Sequence, residues 1–150
     1  MPGIMVDSYG RKVTGLRIAL TSRCNLRCLY CHHEGEVQPN GEISDEMVIG
    51  VAQAAAALGV RSLKLTGGEP LLRQGLAGLI AQMPPQMKIS LTTNGIYLAE
   101  QAESLARAGL GRVNVSLDSL KPEVYRNITG GRKGDLERVL QGLDAAAEAG

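Results

Sequence analysis

The sequence has no phenylalanine and no tryptophan, and its four tyrosines account for the whole aromatic content of 3%. A hydrophobic core must therefore be built from aliphatic side chains and methionine. The chain has 150 residues, of which 44% are hydrophobic and 21% charged. These values are typical of a globular protein, and the length predicts one domain that spans residues 1–150.

An excess of charge of one sign and a long apolar run are also missing. The net charge of +1 gives no broad positive field, so we expect no nucleic acid partner. No apolar run approaches the roughly 20 residues that cross a bilayer. The amino terminus lacks the charged and apolar regions of a secretory signal. We therefore expect a cytoplasmic protein that does not contact a membrane.

The three cysteines are crowded into eight residues as Cys24-x-x-x-Cys28-x-x-Cys31. Their odd number and close spacing do not suit a disulfide framework, and in a reducing compartment they indicate metal binding or catalysis. Three thiolates can hold a four-iron cluster and leave one iron open to a small molecule. A structural zinc site, with His32 or His33 as the fourth ligand, is the alternative. Three unliganded thiols are a third interpretation.

Short apolar segments alternate with helical ones along the whole chain. Strands are predicted at 16–20, 62–65, 87–91 and 112–117, and helices at 44–58, 75–83, 98–108, 122–128 and 135–149. Four β–α units in succession predict an α/β fold with a parallel sheet. The sheet is expected to be either open or part of a (β/α) barrel.

Each predicted strand has one apolar and one polar face. The polar faces carry Arg17, Lys64, Thr92 and Ser116. A buried parallel sheet is normally apolar on both faces, so the polar faces predict a ligand on that side. A solvated face of an incomplete sheet is the alternative. The two cations favour the ligand, because a buried charge without a partner is costly.

The distinctive motifs follow the predicted strands directly. They are Thr21–Cys24, Gly67-Gly68-Glu69-Pro70, Thr92-Thr93-Asn94-Gly95 and Asp118. Active sites of barrels and of open α/β sheets lie at the carboxyl ends of the strands, so we expect a site at this edge. The paired glycines permit close approach of a ligand, and Glu69 offers a carboxylate to an ammonium group. A tight turn with a solvated Glu69 is the alternative.

A second glycine-rich segment lies at Gly130–Gly134. It lacks the pattern of a P-loop. A solvated loop is therefore favoured over a phosphate site.

The cysteine motif, with Tyr30 before its last cysteine and Gly67–Pro70 downstream, resembles the radical SAM superfamily. In that superfamily three cysteines hold a [4Fe–4S] cluster, and S-adenosylmethionine (SAM) completes the fourth iron. The chain is further similar, over residues 7–150, to the MoaA family of GTP 3′,8-cyclases. These lyases make the first intermediate of molybdenum cofactor biosynthesis. The segments that carry this similarity are 9–11, 16–17, 21–28, 65–73, 92–95 and 114–118.

The resemblance implies a fold, a reaction and a set of site residues. The fold is a partial (β/α) barrel, and the reaction converts GTP to (8S)-3′,8-cyclo-7,8-dihydroguanosine 5′-triphosphate with an electron from a reductant protein or a chemical donor. Another radical SAM enzyme, such as a peptide-modifying one, and a non-catalytic metal-binding module are the alternatives. The implied ligands of the metal are Cys24, Cys28 and Cys31; SAM is expected at Tyr30, Gly67, Gly68, Glu69 and Ser116, and GTP at Arg17, Lys64 and Thr92.

The chain departs from the family in three respects. Lys64 stands where the family often has arginine, and His32-His33-Glu34-Gly35 replaces the more familiar sequence after the last cysteine. The family is about twice as long and binds a second cluster through later cysteines, whereas no cysteine follows Cys31. A complete barrel needs around 250 residues. We therefore expect the N-terminal portion of a radical SAM core, either a fragment or a half-barrel, without the second-cluster region and with an oligomer partner or a missing half.

Overall fold

A computed structural model describes residues 4–31 and 42–150. It contains a sheet of four parallel strands in the order β1-β2-β3-β4, which follows the order of the chain. The strands are β1 Gly15–Ala19, β2 Ser62–Thr66, β3 Lys88–Thr93 and β4 Leu110–Val115. The predicted α/β class with four β–α units is confirmed.

Helices connect the strands and follow the last one. They are α1 Asp45–Ala57, α2 Leu76–Ala81, α3 Leu98–Arg107, α4 Pro122–Thr129 and α5 Asp135–Ala149, with a 3₁₀ turn at Pro70–Leu72 before α2. Helix α1 begins as predicted, because the Ser44 hydroxyl accepts a hydrogen bond from the amide of Met47 at 3.3 Å. Within the described ranges no helix has the length and the apolar character needed to cross a bilayer.

The last strand differs from its predicted bounds of 112–117. Ile89 pairs with Leu110 and Ser90 pairs with Arg112, so Gly111 is an extra residue in β4. Glycine is a poor strand former, and this explains why the sequence pattern missed the start of the strand. The strand also ends earlier, at Val115, although the amide of Ser116 still donates to the Thr93 carbonyl at 2.9 Å.

The core lies on the apolar face of the sheet, as the strand pattern predicted. Leu63, Leu65 and Leu91 are fully buried there against α1 and α3. A smaller group, which we call the strand-end cluster, lies near the carboxyl ends of the strands and holds α4 and α5 against this edge. It consists of Leu26, Ile96, Tyr125, Leu136 and Val139.

Candidate functional site

A cavity of about 400 Å³ opens on the polar face at the carboxyl ends of the strands. The predicted site residues come from loops far apart in sequence, and the parallel sheet brings their strand ends to one edge. Of the predicted residues, only Glu69 is absent from the wall of the cavity. Its walls include Cys24, Cys28, Cys31, Tyr30, Gly67, Gly68, Ser116, Arg17, Lys64 and Thr92.

The loop 24–31, which we call the cysteine loop, is attached to the end of α4 through its main chain. The amide of Arg27 donates to the Thr129 carbonyl and the amide of Leu29 donates to the Ile128 carbonyl, each at 2.9 Å. A turn between Cys28 and Cys31 closes the loop, because the amide of Cys31 donates to the Cys28 carbonyl at 3.1 Å. These bonds fix the loop on both sides of Cys28.

The cysteines are free thiols. Cys24 and Cys31 are exposed, and Cys28 is half-buried. Burial raises the pKa of Cys24 and of Cys28 above the ordinary thiol value, although a hydrogen bond from the amide of Leu26 to Cys24 opposes the shift. Without a metal these two thiols therefore keep their protons, and the binding of a metal would release those protons.

The donor set of the cavity fits an iron–sulfur cluster. Three thiols from one loop line it, and thiolates are the usual ligands of such clusters. Among residues 4–31 and 42–150, no three His, Cys, Asp or Glu side chains converge on one metal ion. A cubane does not require that convergence, since each thiolate binds a different iron. His32 and His33, the fourth ligands in the zinc alternative, lie outside the described residues, as does the rest of the segment His32-His33-Glu34-Gly35.

The turn Gly67–Pro70 is held against the segment that precedes the cysteine loop. The amide of Gly68 donates to the Thr21 carbonyl and the amide of Glu69 to the Arg23 carbonyl, each at 2.7 Å. A Cβ atom on Gly67, whose φ is 136°, would collide with the Thr21 carbonyl oxygen, and one on Gly68 would collide with that of Arg23. We expected these glycines to admit a ligand. The structure shows that they admit the protein's own backbone, although both still border the cavity.

Glu69 lies inside the protein and not in solvent. Its side chain is fully buried, so the interpretation as a solvated residue is wrong. The carboxylate accepts hydrogen bonds from the amide of Leu71 at 2.9 Å, the hydroxyl of Thr93 at 2.6 Å and the amide of Asn94 at 2.7 Å. Glu69 is not among the residues that line the cavity, and its contact with SAM stays a prediction. Burial raises the pKa of Glu69, and these three hydrogen bonds oppose the shift.

Two side-chain bonds between strand-end loops were not predicted. The Tyr30 hydroxyl donates to the carboxylate of Asp118 at 2.8 Å, and the amide group of Asn94 donates to the side-chain oxygen of Asn25, also at 2.8 Å. Burial and the bond to Asp118 raise the pKa of Tyr30. The position of Asp118 and Asn94 after predicted strands was the signal for them, whereas Asn25 was marked only by its place in the segment 21–28 that resembles the family.

A buried cation was also missed. Arg73 follows the 3₁₀ turn and is 7% exposed. Its guanidinium donates to the Leu20 carbonyl at 2.9 Å, to the Ile43 carbonyl at 2.7 Å and to the carboxylate of Asp45 at 2.5 Å. It therefore joins the end of β1, the start of α1 and the turn after β2.

The loop Gly130–Gly134 is solvated, as its interpretation predicted: three of its residues are exposed and two are half-buried. A Cβ atom on Gly130 would lie 3.2 Å from the Arg27 carbonyl oxygen, so this glycine packs against the cysteine loop. Arg132 and Lys133 are exposed. The amide of Arg132 donates to the carboxylate of Asp135 at 2.7 Å, which stabilises the start of α5.

The residues predicted to contact GTP lie on adjacent strands. Arg17 and Lys64 are register partners in β1 and β2, and both line the cavity together with Thr92 of β3. Two cations directly opposite one another on one face favour an anion between them, and a polyphosphate has the required charge. Contact with GTP at these three residues stays a prediction.

Comparison with known proteins places this site in context. The family model described as the radical SAM superfamily matches residues 18–150. The chain is 53% identical to the probable GTP 3′,8-cyclase of Methanosarcina acetivorans over 98% of this chain and 46% of that protein. It is 54% identical to the probable GTP 3′,8-cyclase of Archaeoglobus fulgidus, over 98% and 49% respectively. For the GTP 3′,8-cyclase of Streptomyces coelicolor the identity is 47%, over 98% and 45%. The chain thus spans about half the length of the curated relatives it matches.

Solved structures show the same fold at low sequence identity. SuiB of Streptococcus suis bound to S-adenosylmethionine superimposes with a TM-score of 0.77 at 21% identity, over 91% of this chain and 32% of that chain. The anSMEcpe protein with bound AdoMet superimposes with a TM-score of 0.68 at 22% identity, over 91% and 41%. These likenesses agree with the predicted partial barrel.

Proposed function

Because the chain belongs to the radical SAM superfamily, whose model matches residues 18–150, we propose that it carries the cluster- and SAM-binding part of a GTP 3′,8-cyclase. One observation carries the proposal: the three cysteines and the polar residues of three strands line a single cavity. The curated relatives named GTP 3′,8-cyclase support it at 47–54% identity. Residues 1–150 are assigned to the N-terminal portion of the radical SAM core.

The residues of the cavity divide into two groups by position. Cys24, Cys28 and Cys31 would hold the cluster, and Tyr30, Gly67, Gly68 and Ser116 border the adjoining space in which SAM would lie. When bound, a [4Fe–4S] cluster supplies the electron that cleaves SAM to methionine and a 5′-deoxyadenosyl radical, which removes a hydrogen atom from the substrate. A reductant protein or a chemical donor must provide that electron. Glu69, the remaining residue assigned to SAM, also fixes the turn that carries Gly67 and Gly68.

GTP is the proposed substrate, and (8S)-3′,8-cyclo-7,8-dihydroguanosine 5′-triphosphate is the product. Arg17 and Lys64 would bind the triphosphate, and Thr92 lies beside them on the same face. Lysine provides one point charge where arginine would provide a planar fork, so Lys64 holds a phosphate with less directional preference. Modification of a peptide has weaker support, because it rests on a fold likeness to SuiB bound to the precursor peptide SuiA at 20% identity.

Anaerobic reconstitution tests the cluster. We expect about four irons per chain, and we expect methionine and 5′-deoxyadenosine to form when SAM and a reductant are added. The Cys24→Ser variant, which lacks one of the three proposed thiolate ligands, is the comparison and should lose most of its iron. A colourless protein that binds one zinc would overturn the proposal.

Binding of GTP tests the substrate. We expect GTP to raise the unfolding temperature of the reconstituted protein, and we expect Arg17→Ala to weaken binding about tenfold, because a charged hydrogen bond is worth about 1.5–3 kcal/mol. Lys88→Ala is the control, since Lys88 is a cation of β3 that does not line the cavity. If SAM is cleaved but GTP does not bind, and the Arg17→Ala and Lys88→Ala variants have the same affinity for GTP, the cyclase assignment is wrong and the radical SAM assignment stands.

A further inference from the structure

A second cavity, which we call the basic cleft, lies next to the cysteine loop. It has a volume of about 770 Å³, and its walls come from the cysteine loop, the loop Gly130–Gly134, the two residues before α3 and the first turn of α5. Of the described residues, Cys24 alone lines both this cleft and the cavity at the carboxyl ends of the strands. Cys24 is exposed. The proposed cluster ligand therefore connects the two cavities.

The basic cleft concentrates positive charge. Four cations line it, and Asp135 is the only acidic residue among the described residues of its walls. The cleft therefore has an excess of three positive charges, whereas the net charge of the whole chain is +1. The four cations are Arg27, Arg132, Lys133 and Arg138.

Three of these cations can attract a partner. Arg27, Arg132 and Lys133 are exposed, and none of the three forms an ion pair with another described residue. Arg138 differs, because its guanidinium donates to the carboxylate of Glu100 at 3.0 Å. An exposed charge without a partner in the protein attracts a molecule of opposite charge over about one Debye length.

The position of the cleft indicates the type of partner. In the proposed function, a cluster held by the cysteine loop must receive one electron from a donor outside the chain. Positive charge beside Cys24 is complementary to a donor with an acidic surface.

A single-stranded nucleic acid fits the cleft less well. Proteins that bind such ligands stack the bases on aromatic rings. Among the described residues of the walls, Tyr97 is the only aromatic one, and the Arg138 guanidinium lies over its ring at 4.9 Å from the centroid. That ring is therefore covered by the protein itself.

We propose that the basic cleft is the docking surface for a small, acidic electron-transfer protein that reduces the cluster. The inference rests on the proposed function. In this step the donor protein loses one electron and is oxidised, and the cluster gains that electron and is reduced; no proton or group is transferred. Attraction between the opposite charges acts mainly on the rate of association, because it steers the donor towards the cleft.

The test uses the protein after anaerobic reconstitution, with reduced flavodoxin, a small acidic one-electron carrier, as the probe. Stopped-flow absorption measures the rate at which flavodoxin reduces the cluster, and calorimetry measures the affinity of oxidised flavodoxin. The variant combines Arg132→Glu with Lys133→Glu. We expect it to bind the same amount of iron and to be reduced at least about tenfold more slowly at low salt, with a weaker affinity for flavodoxin.

The matched control reverses two cations at the opposite end of the sheet. Lys12→Glu with Lys88→Glu changes the net charge by the same amount, and both residues are exposed; Lys12 precedes β1 and Lys88 begins β3. This control should be reduced by flavodoxin at a rate close to that of the parent. Photoreduced deazaflavin, a small uncharged reductant, should reduce the parent and both variants equally, which separates a loss of docking from a loss of the cluster.

The salt dependence of the parent protein is a measurement that needs no variant. An increase in salt from about 0.01 M to about 1 M shortens the Debye length from about 30 Å to about 3 Å. We expect the rate of reduction by flavodoxin to fall by at least about tenfold over this range.

Four outcomes would overturn the inference. Equal rates and equal affinities for the parent and the Arg132→Glu, Lys133→Glu variant would do so and would leave the proposed function intact, as would a rate that does not depend on salt. Binding of a single-stranded polyuridine RNA that requires Arg132 and Lys133, without binding of flavodoxin, would identify a nucleic acid site instead. A parent protein that binds no iron would overturn both the inference and the proposed function.

Discussion

The turn Gly67–Pro70 and the cysteine loop line the same cavity, yet they are built in different ways. The turn is closed by the protein itself: its carboxylate is buried with three donors, and its glycines touch the backbone of 21–23. The cysteine loop is fixed by main-chain bonds to α4 and by the side chains of Tyr30 and Asn25, while two of its three thiols are exposed. The comparison teaches that one wall of the cavity is complete without a cofactor, whereas the other keeps its functional atoms available for one.

The difference can be measured in the metal-free protein as the loss in unfolding free energy caused by substitutions in each region. Substitutions in the turn should be costly. Those at the exposed cysteines should cost little.

Glu69→Ala should have the largest effect. It leaves the amides of Leu71 and Asn94 and the hydroxyl of Thr93 buried without an acceptor, and we expect a loss of at least about 3 kcal/mol. Urea unfolding followed by circular dichroism measures it. Glu148→Ala, at an exposed position of α5, is the control and should stay within about 0.5 kcal/mol. A loss below about 1 kcal/mol for Glu69→Ala would show that the carboxylate does not hold the turn.

Gly68→Ala should follow, with a loss of about 2 kcal/mol, because the new methyl group meets the Arg23 carbonyl and the backbone must shift. Gly50→Ala in α1 is the matched control. A Cβ atom there meets nothing within 4 Å, and alanine is the better helix former by about 1 kcal/mol. Equal effects of the two substitutions would contradict the close approach at Gly68.

Glu69 should also make the unfolding free energy of the protein depend on pH. Its pKa in the folded protein is raised, so the unfolded chain loses this proton first as the pH increases from about 4.3. Between that value and the raised pKa the folded protein holds the extra proton, and stability falls with pH by at most about 1.4 kcal/mol per unit. The unfolding free energy of Glu69→Gln, followed across this range, should lack this slope. A parent and a variant with the same pH profile would refute the assignment.

Cys24→Ser should have the smallest effect on the metal-free protein. The thiol is exposed, and we expect a change within about 0.5 kcal/mol. The same variant should lose most of its iron after reconstitution, which metal analysis measures. A loss above about 1 kcal/mol in the metal-free protein would mean that the thiol supports the fold, and the contrast between the two regions would disappear.

Sequence reasoning succeeded where the signal is local. Apolar alternation located the strands, and Ser44 located the start of α1, because each depends on neighbours within a few residues. The carboxyl ends of parallel strands meet at one edge, so the meeting of Cys24 with Gly68 and Ser116 in one cavity was also predictable. Gly111 illustrates a local failure, since an extra residue in a strand has no pattern of its own.

The rest of the site depends on partners that the sequence does not identify. Arg73 bonds to Leu20, which lies 53 positions away, and Glu69 bonds to Thr93, which lies 24 positions away. From the sequence alone, a charged residue after a strand is interpreted as exposed or ligand-binding, because charged residues are rarely buried unless they have partners, and those partners are unknown. The glycines at 67 and 68 pose the same difficulty, because a missing side chain does not reveal whether a ligand or the chain itself fills the space.

The attachment of the cysteine loop to α4 has a consequence for how this segment tolerates mutation. The amides of Arg27 and Leu29 form the two bonds, and both side chains are exposed. Every amino acid except proline carries the same amide proton, so the attachment does not depend on which side chains stand there. The surface around the sulfur ligands is thus free to vary from one descendant to the next while the ligands keep their positions, and proline at 27 or 29 is the substitution that this arrangement rejects.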